Sequence, residues 1–230
     1  MAPLTTPPSQ RVRVLTGLLF TLATLYLVPD RRLVLLPLFL GWWLLFRPLS
    51  AIELIMFGVA GAFFLFQNHL ALRDGLFEFR FKDILLMPYY EPFLWGFYFL
   101  SMKRFVTEGA RGLPSIGLKA VAGLAATSAA FAVFSRDSQT LFVATTCSTA
   151  FLLALFHDRA DLEYAVVALV LGFIVEMFGV STGLWWYPEP DFLGIPSWFA
   201  TMWISAGLLA RRFLIPIAVW LAAGLDYRRA

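Results

Sequence analysis

One cysteine and two histidines are the only thiol and imidazole groups in the 230-residue chain. Cys147 therefore cannot close an intrachain disulfide or join a thiolate zinc cluster. Within its apolar run it is expected to be a small buried packing residue. His69 and His157 follow apolar stretches of opposite direction, so most of a bilayer thickness would separate them and no histidine-rich metal centre can form. Charged residues are also scarce, 14% of the chain, against about 25% in a typical globular protein. They form no basic face, which excludes nucleic acid as a partner. Missing as well are an Asp-rich motif for magnesium, a paired Ser-His-Asp signal, a lysine deep in an apolar stretch, internal repeats and low-complexity tracts. No metal and no cofactor is expected.

What the chain has is apolar sequence, 60% hydrophobic and 17% aromatic. Stretches long enough to enter a bilayer recur at 14–28, 33–46, 51–66, 84–102, 116–134, 140–156, 164–183, 197–210 and 213–225, the last being either a ninth helix or an interfacial segment. The fold class expected is all-α: a polytopic transmembrane helix bundle of about eight spans, within a range of about seven to nine. It would form a single integral membrane domain over residues 1–230, in a bacterial-type inner membrane. Arg11 and Arg13 follow a polar Pro/Thr lead, but no small-residue cleavage pattern follows the first apolar run, so that run reads as a retained helix. Lys103, Arg104, Arg111 and Lys119 cluster in one connection, and the charge distribution leans to a cytoplasmic N-terminus.

Two connections stand apart, and by alternation both lie on one side of the membrane, called X here, with Y opposite. In Gln67–Asp83, Phe77, Phe79 and Phe81 alternate with Glu78, Arg80 and Lys82, a period of two that suggests a short strand or an interfacial segment. In Leu184–Pro196, Trp185, Trp186 and Tyr187 precede a proline-rich turn, as in an aromatic belt. Glu91 and Glu176 sit within apolar segments beneath these connections. Counting inward from Asp83 and Trp185 at helical rise puts both acids roughly 12–14 Å below surface X. Acids at such depth are costly and are functional by default, although a membrane acid also serves simply to tie neighbouring helices.

A carboxyl group in an apolar pocket favours its neutral form, so one glutamic acid could protonate a substrate while the other takes a proton or positions water. Aromatic faces would stabilise a carbocation formed on the way. Glu91 and Glu176 are thus the candidate catalytic pair. Tyr89, Tyr90, Trp95, Trp185, Trp186, Tyr187, Trp198 and Trp203 are the candidate substrate-binding residues, and Tyr98 supplies a further ring. The partners expected are membrane lipid and a lipid-soluble small molecule; the oligomeric state is left open.

The run Glu176, Gly179-Val180, Thr182-Gly183, Tyr187, Gly194-Ile195-Pro196 and Trp198 or Trp203 resembles the small integral-membrane carotenoid-biosynthesis proteins, the carotenoid hydratase and lycopene-cyclase-like group. It covers about 30 residues. In "PYYEPF", two tyrosines separate Pro88 from Glu91 where lycopene cyclases have Pro-x-Glu. The resemblance implies a helical membrane enzyme that cyclises, hydrates or isomerises an apolar isoprenoid. Two other classes fit the residues: a small-solute or proton-coupled transporter, and a non-catalytic membrane assembly protein.

Overall fold

Short polar side chains mark where the helices begin. Asp30, Ser50, Asp137 and Asp158 each accept a backbone N–H at a helix start, and at Ser50 and Asp158 the bond is reciprocated by Glu53 and Asp161. Such caps satisfy donors that the helix itself leaves unpaired. The structure is a computed structural model that describes residues 8–106 and 117–227. The polar lead before residue 8 and Arg111 of the basic connection lie outside the described residues.

Nine helical elements follow in order among the described residues: α1 (Pro8–Leu27), α2 (Arg31–Phe46), α3 (Ala51–Arg73), α4 (Glu91–Phe105), α5 (Leu118–Phe134), α6 (Ser138–Leu155), α7 (Arg159–Ser181), α8 (Trp198–Leu209) and α9 (Ile215–Tyr227). A π-turn, Ala210–Leu214, joins α8 to α9 without a break, so the last two expected stretches form one rod. Among the described residues, four helices are long and apolar enough to cross a membrane: Ala51–Arg73, Ser138–Leu155, Arg159–Ser181 and Trp198–Gly224. The architecture is an all-α membrane helix bundle.

Helix α3 packs on α4 and α9, and α8 packs on α6 and α7. Hydroxyl groups join the apolar faces of α6 and α8. Thr149 donates to the Thr201 carbonyl at 3.0 Å, and Thr201 donates to the Thr145 hydroxyl at 2.8 Å. Interhelical bonds of this kind hold helices together where apolar burial gives no preference for protein over lipid.

Two expectations change here. The stretch 84–102 is not one helix. Residues 84–90 form a tight turn in which Ile84 and Met87 exchange backbone bonds, with Leu85 and Leu86 in the left-handed region at φ 48° and 68°. α4 starts only at Glu91, with Pro92 in its first turn, where a missing N–H costs nothing. Cys147, expected in the interior, lies exposed on the outer face of α6, whereas Ser148 and Thr149 point inward and are buried. The phenylalanine-rich connection does form a strand, β1 (Glu78–Phe79). It pairs antiparallel with β2 (Trp185–Trp186) of the other aromatic connection, Phe79 opposite Trp185. The two loops of side X are thereby joined into one cover.

Candidate functional site

Helix α7 presents Gly172, Val175, Glu176 and Gly179 on one buried face, the spacing that puts side chains above one another on successive turns. The two glycines have a steric purpose. A methyl group at Gly172 would run into the Trp203 indole, and one at Gly179 into the Trp185 indole. Both rings therefore seat against bare backbone on either side of Glu176. Trp185 donates its indole N–H to Glu176 Oε2 at 2.7 Å, and the Tyr187 hydroxyl donates to the same oxygen at 2.7 Å.

Glu91 is held by a different set. As the first residue of α4 it lies at a helix N-terminus, where the backbone dipole favours a carboxylate. Asn68, near the end of α3, donates to Glu91 Oε1 at 3.1 Å, and Trp95, one turn along α4, donates to the same oxygen at 3.0 Å. Trp95 is fixed in turn by stacking on Phe64, with centroids 3.7 Å apart, and on Trp203 at 5.1 Å.

Glu91 and Glu176, each 7% exposed, line one small chamber of about 40 Å³ beneath the β1–β2 cover. Asn68, Phe77, Phe79, Trp95, Tyr98, Val175, Trp185, Tyr187, Trp198, Met202 and Trp203 complete its wall. No lysine, arginine or histidine is among them. Within the described residues, no hydrogen bond reaches the second oxygen of either carboxyl group. Among the described residues, the buried Tyr98 hydroxyl has no hydrogen-bond partner, and the Trp203 N–H lies by Glu176 without completing a bond. An adjoining cavity of about 230 Å³ runs between α3, α5 and α8 and shares Asn68, Phe77, Trp198 and Met202 with the chamber. Its lining is mostly apolar, including Phe63, Phe64, Phe99, Leu124, Phe131, Leu209 and Phe213.

Of the residues singled out in the sequence, Glu91, Glu176, Trp95, Trp185, Tyr187, Trp198 and Trp203 meet at this chamber. Tyr90 is buried at the start of α4 but does not line it, and Tyr89 and Trp186 are exposed. Trp186 follows Trp185 in an extended strand, so its side chain takes the opposite face. Asn68 and Phe79 were not among the candidates. Asn68 carried a usable signal, a polar side chain in an apolar run on side X; nothing in the sequence alone set Phe79 apart from Phe77 and Phe81.

No protein-family model and no curated protein matches the chain. Among solved structures, it is similar to MvINS, a mycobacterial Insig homologue from Mycobacterium vanbaalenii, with a TM-score of 0.65 and 18% identity over 76% of this chain and 97% of that one. A cross-linked trimer of an MvINS variant matches with a TM-score of 0.64 and 19% identity over the same shares.

This likeness overturns the resemblance to carotenoid-biosynthesis proteins and, with it, the acid–base membrane enzyme read from the two acids. The shared fold spans 76% of the chain, whereas that resemblance rested on the short run that begins at Glu176. The geometry explains the run as a corner of the fold. Gly179 seats Trp185, Tyr187 ties the loop to Glu176, Gly194 turns the chain at φ 80°, and Pro196 leads into α8. The chain is a multi-pass integral membrane protein whose helix bundle has the Insig-homologue fold.

Proposed function

We propose that the chain is a non-catalytic membrane assembly protein that holds an apolar small molecule, such as a membrane lipid, in the cavity between α3, α5 and α8. All eight helical rods, α1 to α7 and the α8–α9 rod, would cross the bilayer and form the walls. The observation that carries this reading is the pairing of a mostly apolar cavity of about 230 Å³ with a small polar chamber that shares its wall. Binding sites for small molecules typically combine an apolar body with a few fixed polar groups. Here the tail of a guest would lie among the phenylalanines of α3 and α5, and its head would reach Asn68 and the two acids. Each acid also ties elements together, Glu91 linking α3 to α4 and Glu176 linking α7 to the cover. A guest that filled the chamber would bear on the same ties.

The test is native mass spectrometry and lipid extraction of protein purified in mild detergent. An apolar molecule should co-purify, chemically unchanged after prolonged incubation. Ser128→Trp, which fills the larger cavity from α5, should lose it without loss of folded yield. Absence of a guest from both proteins would refute the reading, as would steady conversion of the guest to a product.

A further inference from the structure

The chamber carries two carboxyl groups and no basic side chain. Burying an acid is costly unless something answers its charge. Elsewhere in this chain the answer is a guanidinium: Arg104 binds Glu53 through Nε at 2.7 Å and Nη2 at 2.8 Å, and Arg212 binds Asp161 through Nε and Nη2 at 2.6 Å each. In the chamber the answers are an amide, two indoles and a phenol, all neutral. Each carboxyl group keeps one oxygen outside any hydrogen bond among the described residues.

The rest of the wall is what a positive group would need. Indole and phenol faces attract cations through their quadrupole, and Trp185 and Trp198, which are not stacked face to face on another ring, line the space. The buried Tyr98 hydroxyl has no hydrogen-bond partner among the described residues and is able to accept a hydrogen bond. Size then selects among cations. A water needs about 10–15 Å³ of cavity, so about 40 Å³ has room for a CH₂–NH₃⁺ group and is too small for a trimethylammonium. A hard divalent metal is a poor fit, because it wants six or more oxygen ligands and no group of three His, Cys, Asp or Glu side chains is present among the described residues. A phosphate head in the chamber would meet two acids and no cation, and Arg73, which lines the adjoining cavity, is already paired with Asp74 at 3.0 Å.

We propose that the chamber binds the primary ammonium group of a long-chain amine whose tail occupies the adjoining apolar cavity. This rests on the lipid-holding reading above and specifies the head group. The ammonium's three donors would be shared among the second oxygens of Glu91 and Glu176 and the Tyr98 hydroxyl. Charge balance asks for one ammonium and one retained proton against the two carboxyl groups. Discrimination follows from the same contacts: an alcohol of equal chain length fills the cavity but leaves the charge unanswered, and a fatty acid adds a third carboxyl group.

The experiment uses the full chain in phosphatidylcholine nanodiscs, titrated with dodecylamine, dodecanol, dodecanoic acid and dodecyltrimethylammonium. Binding is followed by tryptophan fluorescence, and empty discs correct for partitioning. Dodecylamine should bind at least about tenfold more tightly than dodecanol, a difference of about 1.4 kcal/mol, with the acid and the quaternary amine weakest. Glu91→Gln and Glu176→Gln should each remove most of that preference. Tyr98→Phe deletes a hydroxyl that has no hydrogen bond among the described residues, so it should fold normally and weaken the amine alone by several-fold. Equal binding of amine and alcohol would overturn the ammonium assignment and leave the lipid cavity standing. Failure of every probe to bind would refute the cavity itself.

Discussion

The two ends of this bundle treat buried acids in opposite ways. At the Y end, buried Glu53 accepts from Arg104 and Lys103, and buried Asp161 shares Arg211 and Arg212 with the half-exposed Asp158. Arg104 also reaches the Pro48 carbonyl at 2.9 Å, tying the α2–α3 corner to the end of α4. These are closed ionic clusters: both signs are present and the geometry is two-pronged, the arrangement that suits guanidinium and carboxylate. At the X end, Glu91 and Glu176 are equally buried, yet only neutral donors reach them and a cavity stands beside them. The difference separates acids that finish the structure from acids that leave it able to bind something.

The largest expected effect is at the Y end. Asp161 is fully buried and both guanidinium groups share it, so Asp161→Asn should cost about 3–5 kcal/mol, the usual penalty for breaking a buried pair. Thermal unfolding in detergent should show it as a drop in Tm of roughly 10 °C. A drop no larger than that of the X-end variants would erase the distinction. Next comes Gly179→Ala, whose methyl group collides with the Trp185 ring. Overpacking of this kind costs about 1–3 kcal/mol, and the displaced indole should shift tryptophan emission to the red as its bond to Glu176 opens.

A smaller effect concerns pH. Burial raises the pKa of Asp158, but the Asp161 backbone N–H together with Arg211 and Arg212 outweighs it and holds the carboxyl below the usual range. Its folded pKa is thus lower than its unfolded value of about 4. The stabilisation is complete above that value and disappears as pH falls through the lower one. Between pH 6 and pH 3 the wild type should lose more Tm than Asp158→Asn does. The smallest expected change is in Glu91→Gln and Glu176→Gln, each below about 1 kcal/mol, because a carboxamide oxygen still accepts from the same donors. A large loss of Tm in either would show that these acids, too, are structural pins.

Much of this was legible in the sequence, for reasons that can be named. Alternating spans were enough to put Glu91 and Glu176 on one side and the two aromatic connections above them. The route to Glu91 was nevertheless mistaken. "ILLM" reads as helix by its apolarity, but the chain there turns through Leu85 and Leu86 at positive φ, and hydropathy cannot distinguish an apolar turn from a helix. Pro88 and Pro92, flanking Glu91, were the better clue to where α4 begins. Cys147 failed for a related reason: in a membrane the outer face is as apolar as the core, so polarity does not tell inside from outside. The glycines of α7 could not be interpreted until the rings they seat were known, since Trp203 and Trp185 come from later in the chain. The resemblance failed because a loop corner built from Gly, Trp, Tyr and Pro looks alike whether or not chemistry takes place beneath it.

The π-turn at Ala210–Leu214 gives the final rod two registers. One added residue advances the screw by about 100°, so the ridge that α8 sets against α6 and α7 is not continued in α9, which leans on α3 instead. A single strut thereby braces two walls. Removing one residue from the turn would bring the strut back into phase and force it to abandon one of the two walls.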